Sequence, residues 1–422
     1  MLAVVSIVLG VAAVALPYFF ATLADMALGG VMLASGTSPR LGQENSSMIS
    51  SSSTTIGRAL RGTACLVLIP LLLLWVPAAW SQPTHIATFS IVARDPMTGD
   101  LGVAVQSKYF AVGAVVPHAR ANVGALATQA RGNILYGPKG LGLLESGHSP
   151  GEAMEKLLTD DPLAEQRQVG IVSASGEAAT YTGSETLPWS GGKTGNGYAV
   201  QGNLLAGPEV VDAMAAAFET TDGDLATRLV TALAAGQAAG GDARGRQSAA
   251  VLVVRQGAGY MGANDRLVDL QVEDHPAPIR ELHRLLGVRL AQLAVEHAQR
   301  ALHAASAAKD EALRAELLEQ ARSHAAEAVT LYELGDSGWL ALTAANAASG
   351  DLVAASEAAR RALLINPLLK RYSVIPETGL GIEPDLLVRL LEDTAFRQVW
   401  DALPGDDQPP AARAGATSKS EQ

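Results

Sequence analysis

Thr88 is the residue on which a chemical reading of this chain turns. A threonine at a free amino terminus carries both halves of a nucleophile: a hydroxyl that attacks, and an α-amine whose ordinary pKa near neutrality lets it accept the proton. Lys108 follows the next strand, where a cation can depress an amine's pKa or hold a developing negative charge. Gln129, Gln201 and Asn203 are amides at or near strand ends, the place for an oxyanion donor, and one such donor is worth about 3 kcal/mol. Arg244 and Arg246 sit in a glycine-flanked turn after a helix, from which they can fork onto a substrate carboxylate. Asn264 and Asp265, in a later Gly-rich loop, can orient a nucleophile. Each has a plainer reading beside it. Thr88 also suits an ordinary strand position, Lys108 a surface, the amides turn and edge hydrogen bonding, the arginines local pairing with Asp242, and Asn264-Asp265 the making of a turn. Ser90 shares the face of Thr88 but has no terminal amine.

The element that must present Thr88 runs from Thr88 to Gln106 and reads as two strands around a tight turn. Phe89, Ile91 and Ala93 alternate with Ser90, Val92 and Arg94; Asp95-Pro96-Met97-Thr98-Gly99-Asp100 has turn composition; Leu101, Val103 and Val105 resume the period of two. Val112–Val116 and Val123–Thr128 read as further strands. Two helices follow, the second opening with the capping-box residues Ser149-Pro150-Gly151-Glu152. Val169–Ala174 and Ala178–Thr182 form a hairpin, Tyr198–Asn203 another strand, Glu209–Glu219 and Asp224–Ala239 a second helix pair stopped by Gly240-Gly241. Strands Ala249–Arg255 and Leu267–Val272 close the unit. Strands and helix pairs in this order predict an α+β fold in which two sheets pack face to face with helices outside each.

Ahead of this unit, residues 1–23 are uncharged and mostly apolar, long enough to span a bilayer. Arg58 and Arg61 then precede an apolar run from Cys65 to Val76 and the small-residue exit Pro77-Ala78-Ala79-Trp80-Ser81, the composition of a secretory signal peptide cut after Ser81. Residues 1–47 are thus either a membrane anchor or an extension upstream of a true start at Met48, residues 48–81 the signal peptide, and 82–87 a pro-segment. Export to the periplasm or cell exterior is expected, with membrane attachment if the apolar segments are retained. Beyond Pro276 the composition turns to Ala, Leu, Glu and Arg. Residues 280–333 read as two or three amphipathic helices. Trp339, Leu342, Gly350, Asp351, Ala355, Ala359, Ala362, Leu363 and Pro367 then fall at the spacings of a tetratricopeptide repeat, with Ala359 and Thr343 as departures. Residues 280–403 are read as this helical domain, a surface for a peptide or protein partner or for self-association, and 404–422 as a disordered tail.

The formal net charge of −11 over 422 residues argues against nucleic acid as a partner. The single cysteine lies in the segment to be removed, and the eight histidines show no paired spacing, so neither metal nor cofactor is expected.

Residues 88–286 resemble the DUF1028 family, assigned to the N-terminal-nucleophile (Ntn) hydrolase superfamily. The resemblance rests on Thr88-Phe89-Ser90-Ile91-Val92-Ala93-Arg94-Asp95, on Gly102-Val103-Ala104-Val105-Gln106-Ser107-Lys108, and on Ala127-Thr128-Gln129. Gln201-Gly202-Asn203, the stretch Gly240-Gly241-Asp242-Ala243-Arg244-Gly245-Arg246-Gln247-Ser248, and Asn264-Asp265-Arg266 extend it. It implies a four-layer αββα sandwich over residues 88–279 and hydrolysis of a small amide, with Thr88 exposed by trimming or by its own attack on the Ala87 carbonyl.

Overall fold

The computed structural model describes residues 88–373 and 382–403. The expected membrane anchor, signal peptide, pro-segment and polar tail lie outside the described residues. Among the described residues no helix is long and apolar enough to cross a membrane.

The first hairpin forms as its periodicity predicts: β1 (Thr88–Arg94) and β2 (Leu101–Ser107) pair antiparallel, with Thr88 opposite Ser107. Asp95 closes the turn by accepting from Met97 N at 2.8 Å and Thr98 N at 2.9 Å, and Gly99 supplies the left-handed residue (φ 77°). The other strands are β3 (Pro117–Arg120), β4 (Gly124–Ala130), β5 (Arg167–Ser173), β6 (Ala178–Thr182), β7 (Gly191–Gly195), β8 (Tyr198–Asn203), β9 (Ser248–Val254) and β10 (Arg266–Val272). They make one sheet in the order β10-β9-β2-β1-β8-β7 and another in the order β3-β4-β5-β6.

Alternation sorts each strand's side chains between two layers. Val92, Leu101, Val103, Val105, Ala125, Ala127, Val172, Ala199 and Leu252 meet between the sheets. The opposite faces carry the helices. Phe89, Ile91 and Val200 lie under α3 (Glu209–Thr220) and α4 (Leu225–Ala238), while Leu126, Val169 and Ile171 lie under α1 (Tyr136–Glu145) and α2 (Pro150–Thr159). This is the αββα layering. The capping box of α2 is closed in both directions: Ser149 N donates to Glu152 Oε2 at 2.8 Å and Glu152 N to Ser149 Oγ at 3.3 Å.

One local expectation is corrected, and one strand is new. Val112–Val116 is not a strand; Val112–Ala114 is a 3₁₀ turn entered through a left-handed Ala111. Val112 and Val116, four apart, both reach the inter-sheet core from this turn, so an apolar run that suits a strand is satisfied by a helical spacing instead. β7, Gly191–Gly195, lacks any strand propensity and exists because β8 pairs with it along a sheet edge.

The helical region continues directly from β10. α5 (Pro278–Ala307) begins inside the sandwich: Ile279, Leu282 and Leu286 belong to the core under α4. Its later turns pack through Ala291, Ala294, Ala298 and Ala301 against Ala321, Ala325 and Ala328 of α6 (Glu311–Leu331) and Ala341 and Ala345 of α7 (Asp336–Ala348). α8 (Leu352–Ile365) follows after Gly350, completing a helix–turn–helix pair with α7 over the repeat-like residues, and Ala359 is fully buried there. α9 (Leu369–Ser373), α10 (Pro384–Leu390) and α11 (Thr394–Ala402) close the end around Phe396 and Trp400.

Two half-buried polar groups tie the small sheet to its helices and make its stability pH-dependent. Asp161 accepts from Arg167 Nε at 2.9 Å, Tyr136 Oη at 2.7 Å and Leu163 N at 2.9 Å. The Arg167 guanidinium, foremost among these, holds its carboxyl well below the ordinary range. His118 on β3 is pressed against Gly137, and its Nε2 is buried with no partner; burial lowers its pKa, opposed by the smaller effect of a ring hydrogen bond to the Val115 backbone. A lowered imidazole pKa means that the folded state binds fewer protons than the unfolded state, so stability falls as pH drops through about 6.5. The urea midpoint should therefore decrease between pH 7 and pH 5, and His118→Gln should flatten that slope; an unchanged slope refutes the assignment. The Asp161 contribution is present above the unfolded carboxylate pKa and lost on acidification below about pH 4. Asp161→Ala, leaving Arg167 buried and unpaired, should cost about 3 kcal/mol or more in urea unfolding at pH 7.

Candidate functional site

The layer between the sheets changes character along its length. At one end it is Val, Leu and Ala; at the other the same alternating positions carry Thr88 and Ser90 on β1, Ser107 on β2, Gln129 on β4, Gln168 on β5, Gln201 and Asn203 on β8, and Ser248 on β9, all buried. Register explains the convergence. Thr88 stands opposite Ser107 on one side and Asn203 on the other, and Ser107 stands opposite Ser248, so four polar residues form one row across the large sheet. Gln129 and Gln168 are opposite each other in the facing sheet.

These side chains satisfy one another. Thr88 Oγ1 lies 3.0 Å from Ser107 Oγ. Ser90 Oγ donates to Gln129 Oε1 at 2.6 Å and accepts from Gln201 Nε2 at 2.6 Å. Gln129 Nε2 donates to Gln168 Oε1 at 2.8 Å and to the carbonyls of Thr88 (3.4 Å) and Gln201 (3.3 Å). Gln168 Nε2 reaches Gly202 O at 2.7 Å and Thr182 Oγ1 at 2.9 Å. Asn203 Nδ2 donates to Gln168 Oε1 at 2.9 Å. The amide protons of Gln129 and Gln201 are thereby committed to the network, whereas Asn203 spends one Nδ2 proton on Gln168 and keeps the other. Of the expected oxyanion donors, Asn203 is the one with a proton to give.

Charge is confined to the rim. Asp242, its side chain fully buried, accepts from Lys108 N at 2.8 Å, Arg244 N at 2.8 Å and the Arg244 guanidinium at 3.0 Å. Lys108 Nζ turns to the Arg246 carbonyl at 3.3 Å, and Gln247 N donates to Ser107 O at 3.1 Å. Lys108, Arg244 and Arg246 therefore sit at the Thr88 end, the first two held by the Asp242 carboxylate and the third bonded through its carbonyl to Lys108.

Asn264 and Asp265 do not join them. β9 leaves Ser248 and runs seven residues, roughly 20 Å, to the far end of the sheet. There Asp265 Oδ1 accepts from Gly257 N at 2.9 Å and Asn264 Oδ1 from Arg266 N at 2.9 Å. They make the β9–β10 turn. The network also contains residues that reading from types alone did not single out: Ser107, Gln168, Ser248 and Thr182. For Ser107, Gln168 and Ser248 the signal was available, since each is a polar residue toward the end of a strand face otherwise apolar. Among the described residues no group of three or more His, Cys, Asp or Glu is placed to hold a metal ion.

Room for the network is made by a glycine. A Cβ on Gly170 of β5 would lie 2.1 Å from Gln201 Oε1 and 2.6 Å from its Cδ, across the two sheets. Gly170→Ala should therefore displace Gln201 from Ser90 and cost about 1–3 kcal/mol in urea unfolding. The penalty should shrink in a Gln201→Ala background, and an additive double-mutant cycle would show that the clash lies elsewhere.

No curated protein matches this chain. A crystal structure of a protein from Silicibacter pomeroyi, also assigned to DUF1028, is 33% identical over 47% of this chain and 84% of that one, with a TM-score of 0.44. The family described as of unknown function, DUF1028, matches residues 88–282, the sandwich together with the first turn of α5. On the match and on this identity, the chain belongs to the DUF1028 family.

Proposed function

We propose that the chain is an exported amide hydrolase of the N-terminal-nucleophile type, in which Thr88 is the nucleophile once the bond to Ala87 is cut. The observation that carries this reading is the make-up of the network around Thr88. Among the described residues its hydrogen-bonded side chains are hydroxyls and amides, groups that are not bases at neutral pH. A hydroxyl in such surroundings needs a proton acceptor, and the α-amine of a released Thr88 is covalently adjacent to it. Thr88 Oγ1 attacks the substrate carbonyl carbon and its proton passes to the amine. The carbonyl oxygen becomes an oxyanion facing the spare Asn203 Nδ2 proton. Collapse expels the leaving amine with the proton that the Thr88 α-amine took up, and water hydrolyses the threonyl ester to return the free hydroxyl and the acid product. Lys108, Arg244 and Arg246 at the rim favour a substrate that carries negative charge.

Export through residues 48–81 belongs to the same proposal, because cleavage after Ser81 leaves only Gln82 to Ala87 to be removed. Mass spectrometry of protein recovered from the native compartment should give a chain beginning at Thr88. Thr88→Ser should retain activity and labelling by an acylating probe for amino-terminal nucleophiles, and Thr88→Ala should lose both. Turnover of an amide by protein that still carries Gln82–Ala87 refutes the mechanism.

A second reading, a binding scaffold without turnover, is favoured by the helical region, where Leu334, Val353, Leu364, Leu368 and Val388 are all more than half exposed. A peptide partner or self-association there is compatible with either reading. Absence of probe labelling on correctly processed protein selects the scaffold.

A further inference from the structure

A second binding site is built where α4 ends and α5 begins. A cavity of about 290 Å³ is lined by Ala234 and Gln237 of α4, Arg246 of the Asp242 turn, and Ala277, Pro278, Ile279, Arg280 and His283 around the start of α5. Its charged lining is two arginines, with a histidine beside them and no acid among the described lining residues. That is unusual for a chain of net charge −11. Other arginines of the sandwich and of α5 are paired with acids, Arg167 with Asp161, Arg244 with Asp242, Arg255 with Asp100 and Arg284 with Glu281. The side chains of Arg246, Arg280 and His283 have neither an ion-pair nor a hydrogen-bond partner among the described residues. Arg246 contributes only its carbonyl, to Lys108.

The rest of the lining narrows the ligand. Ala234, Ala277, Pro278 and Ile279 give an apolar wall. The side-chain oxygen of Gln237, a residue of the cleft wall, is buried without a partner, so a turn of the side chain toward the cleft would give it a ligand donor. A carboxylate answers the guanidinium pair, an apolar side chain the wall, and a neutral N–H the glutamine oxygen. A free ammonium beside the two guanidinium groups is disfavoured. We propose that this cleft binds a small N-acylated amino acid with an apolar side chain, carboxylate toward Arg246 and Arg280 and amide N–H toward Gln237. Its volume, near the lower limit of small-ligand sites, suits a single residue rather than a peptide. The assignment stands apart from the chemistry proposed for Thr88.

Calorimetric titration of the full chain carrying Thr88→Ala, which keeps the ligand intact, with N-acetyl-L-leucine tests it. Saturable binding is expected, weakened about tenfold or more by Arg280→Gln and by Arg246→Gln, and weakened by Gln237→Leu. N-acetyl-L-leucinamide, which lacks the carboxylate, should bind at least about tenfold more weakly than the acid. Arg280 and Arg246 are exposed, so both variants should keep the wild-type melting transition. Equal affinity for acid and amide, unchanged affinity in Arg280→Gln, or no saturation by the acid overturns the proposal. Tenfold tighter binding of a longer peptide ending in leucine overturns the single-residue ligand. Loss of catalysis in Thr88→Ala has no bearing on these outcomes, so failure here is distinguishable from failure of the hydrolase reading.

Discussion

Between the sheets at the Thr88 end, the buried amides are hydrogen-bonded chiefly through one another. An unpaired amide between the sheets would cost about 1–3 kcal/mol, so Gln129, Gln168, Gln201 and Asn203 are tolerable only as a set. Each closes a bond that another needs. The set also crosses the layer: Gln129 and Gln168 come from the small sheet, Ser90, Gln201 and Asn203 from the large one. Apolar packing at the other end fixes how far apart the sheets lie, and the amide bonds at this end are sensitive to that spacing. Gly170 expresses the same constraint as an absence, a side chain omitted so that one glutamine can reach across.

The backbone reflects the demand as well. Ala130 and Leu204 both adopt left-handed conformations, with φ 64° and 51°, and each immediately follows an amide of the network, Gln129 or Asn203. Neither residue is a glycine, so each position costs on the order of 1 kcal/mol. The chain there turns sharply off the sheet, and the freed groups are caught at once: Arg131 N donates to Gln166 O at 3.2 Å, Leu204 N to Leu187 O at 3.1 Å, and Ala243 N to Leu204 O at 2.9 Å. Strain at two strand ends is thus balanced by bonds that fix the direction of the last side chain on each strand. The last of these bonds brings in the Asp242 turn, which in turn holds Lys108 and Arg244.

Much of this was legible without coordinates because it depends on local period and punctuation. The β1–β2 hairpin, Tyr198–Asn203 and the Ser149–Glu152 capping box all follow from spacing. What escaped was set by partners distant in sequence. β7 has a glycine-rich strand imposed by β8; Val112 and Val116 are apolar for the core yet sit on a turn because Ala111 goes left-handed before them. Asn264 and Asp265 illustrate the same limit at the site. Their residue types fit a catalytic loop, but a strand leaving Ser248 and a hairpin returning from it put that loop at the opposite end of the sheet. Conversely, Gln168 and Ser107 were hidden by their types, glutamine and serine being ordinary at strand ends, although their place on a face otherwise apolar marks them.

The helical region bears on the site through α5 rather than through its own hairpins. Ile279, Leu282 and Leu286 complete the core over the large sheet, and each such side chain contributes about 1.5–3 kcal/mol when fully buried. Removing the helices beyond residue 287 would leave this contribution in place, whereas a cut at the change of composition near residue 276 would strip apolar cover from above β9 and β10. The functional unit is therefore the sandwich with the first three turns of α5, and the Asp242 turn is clamped between them: Gln247 N donates to Ser107 O, while Gln247 O accepts from His275 N at 2.7 Å just before the helix. One short segment joins the row that holds Thr88, the rim cations and the start of α5, so a change in how α5 docks reaches Lys108 and Arg246 through backbone bonds alone.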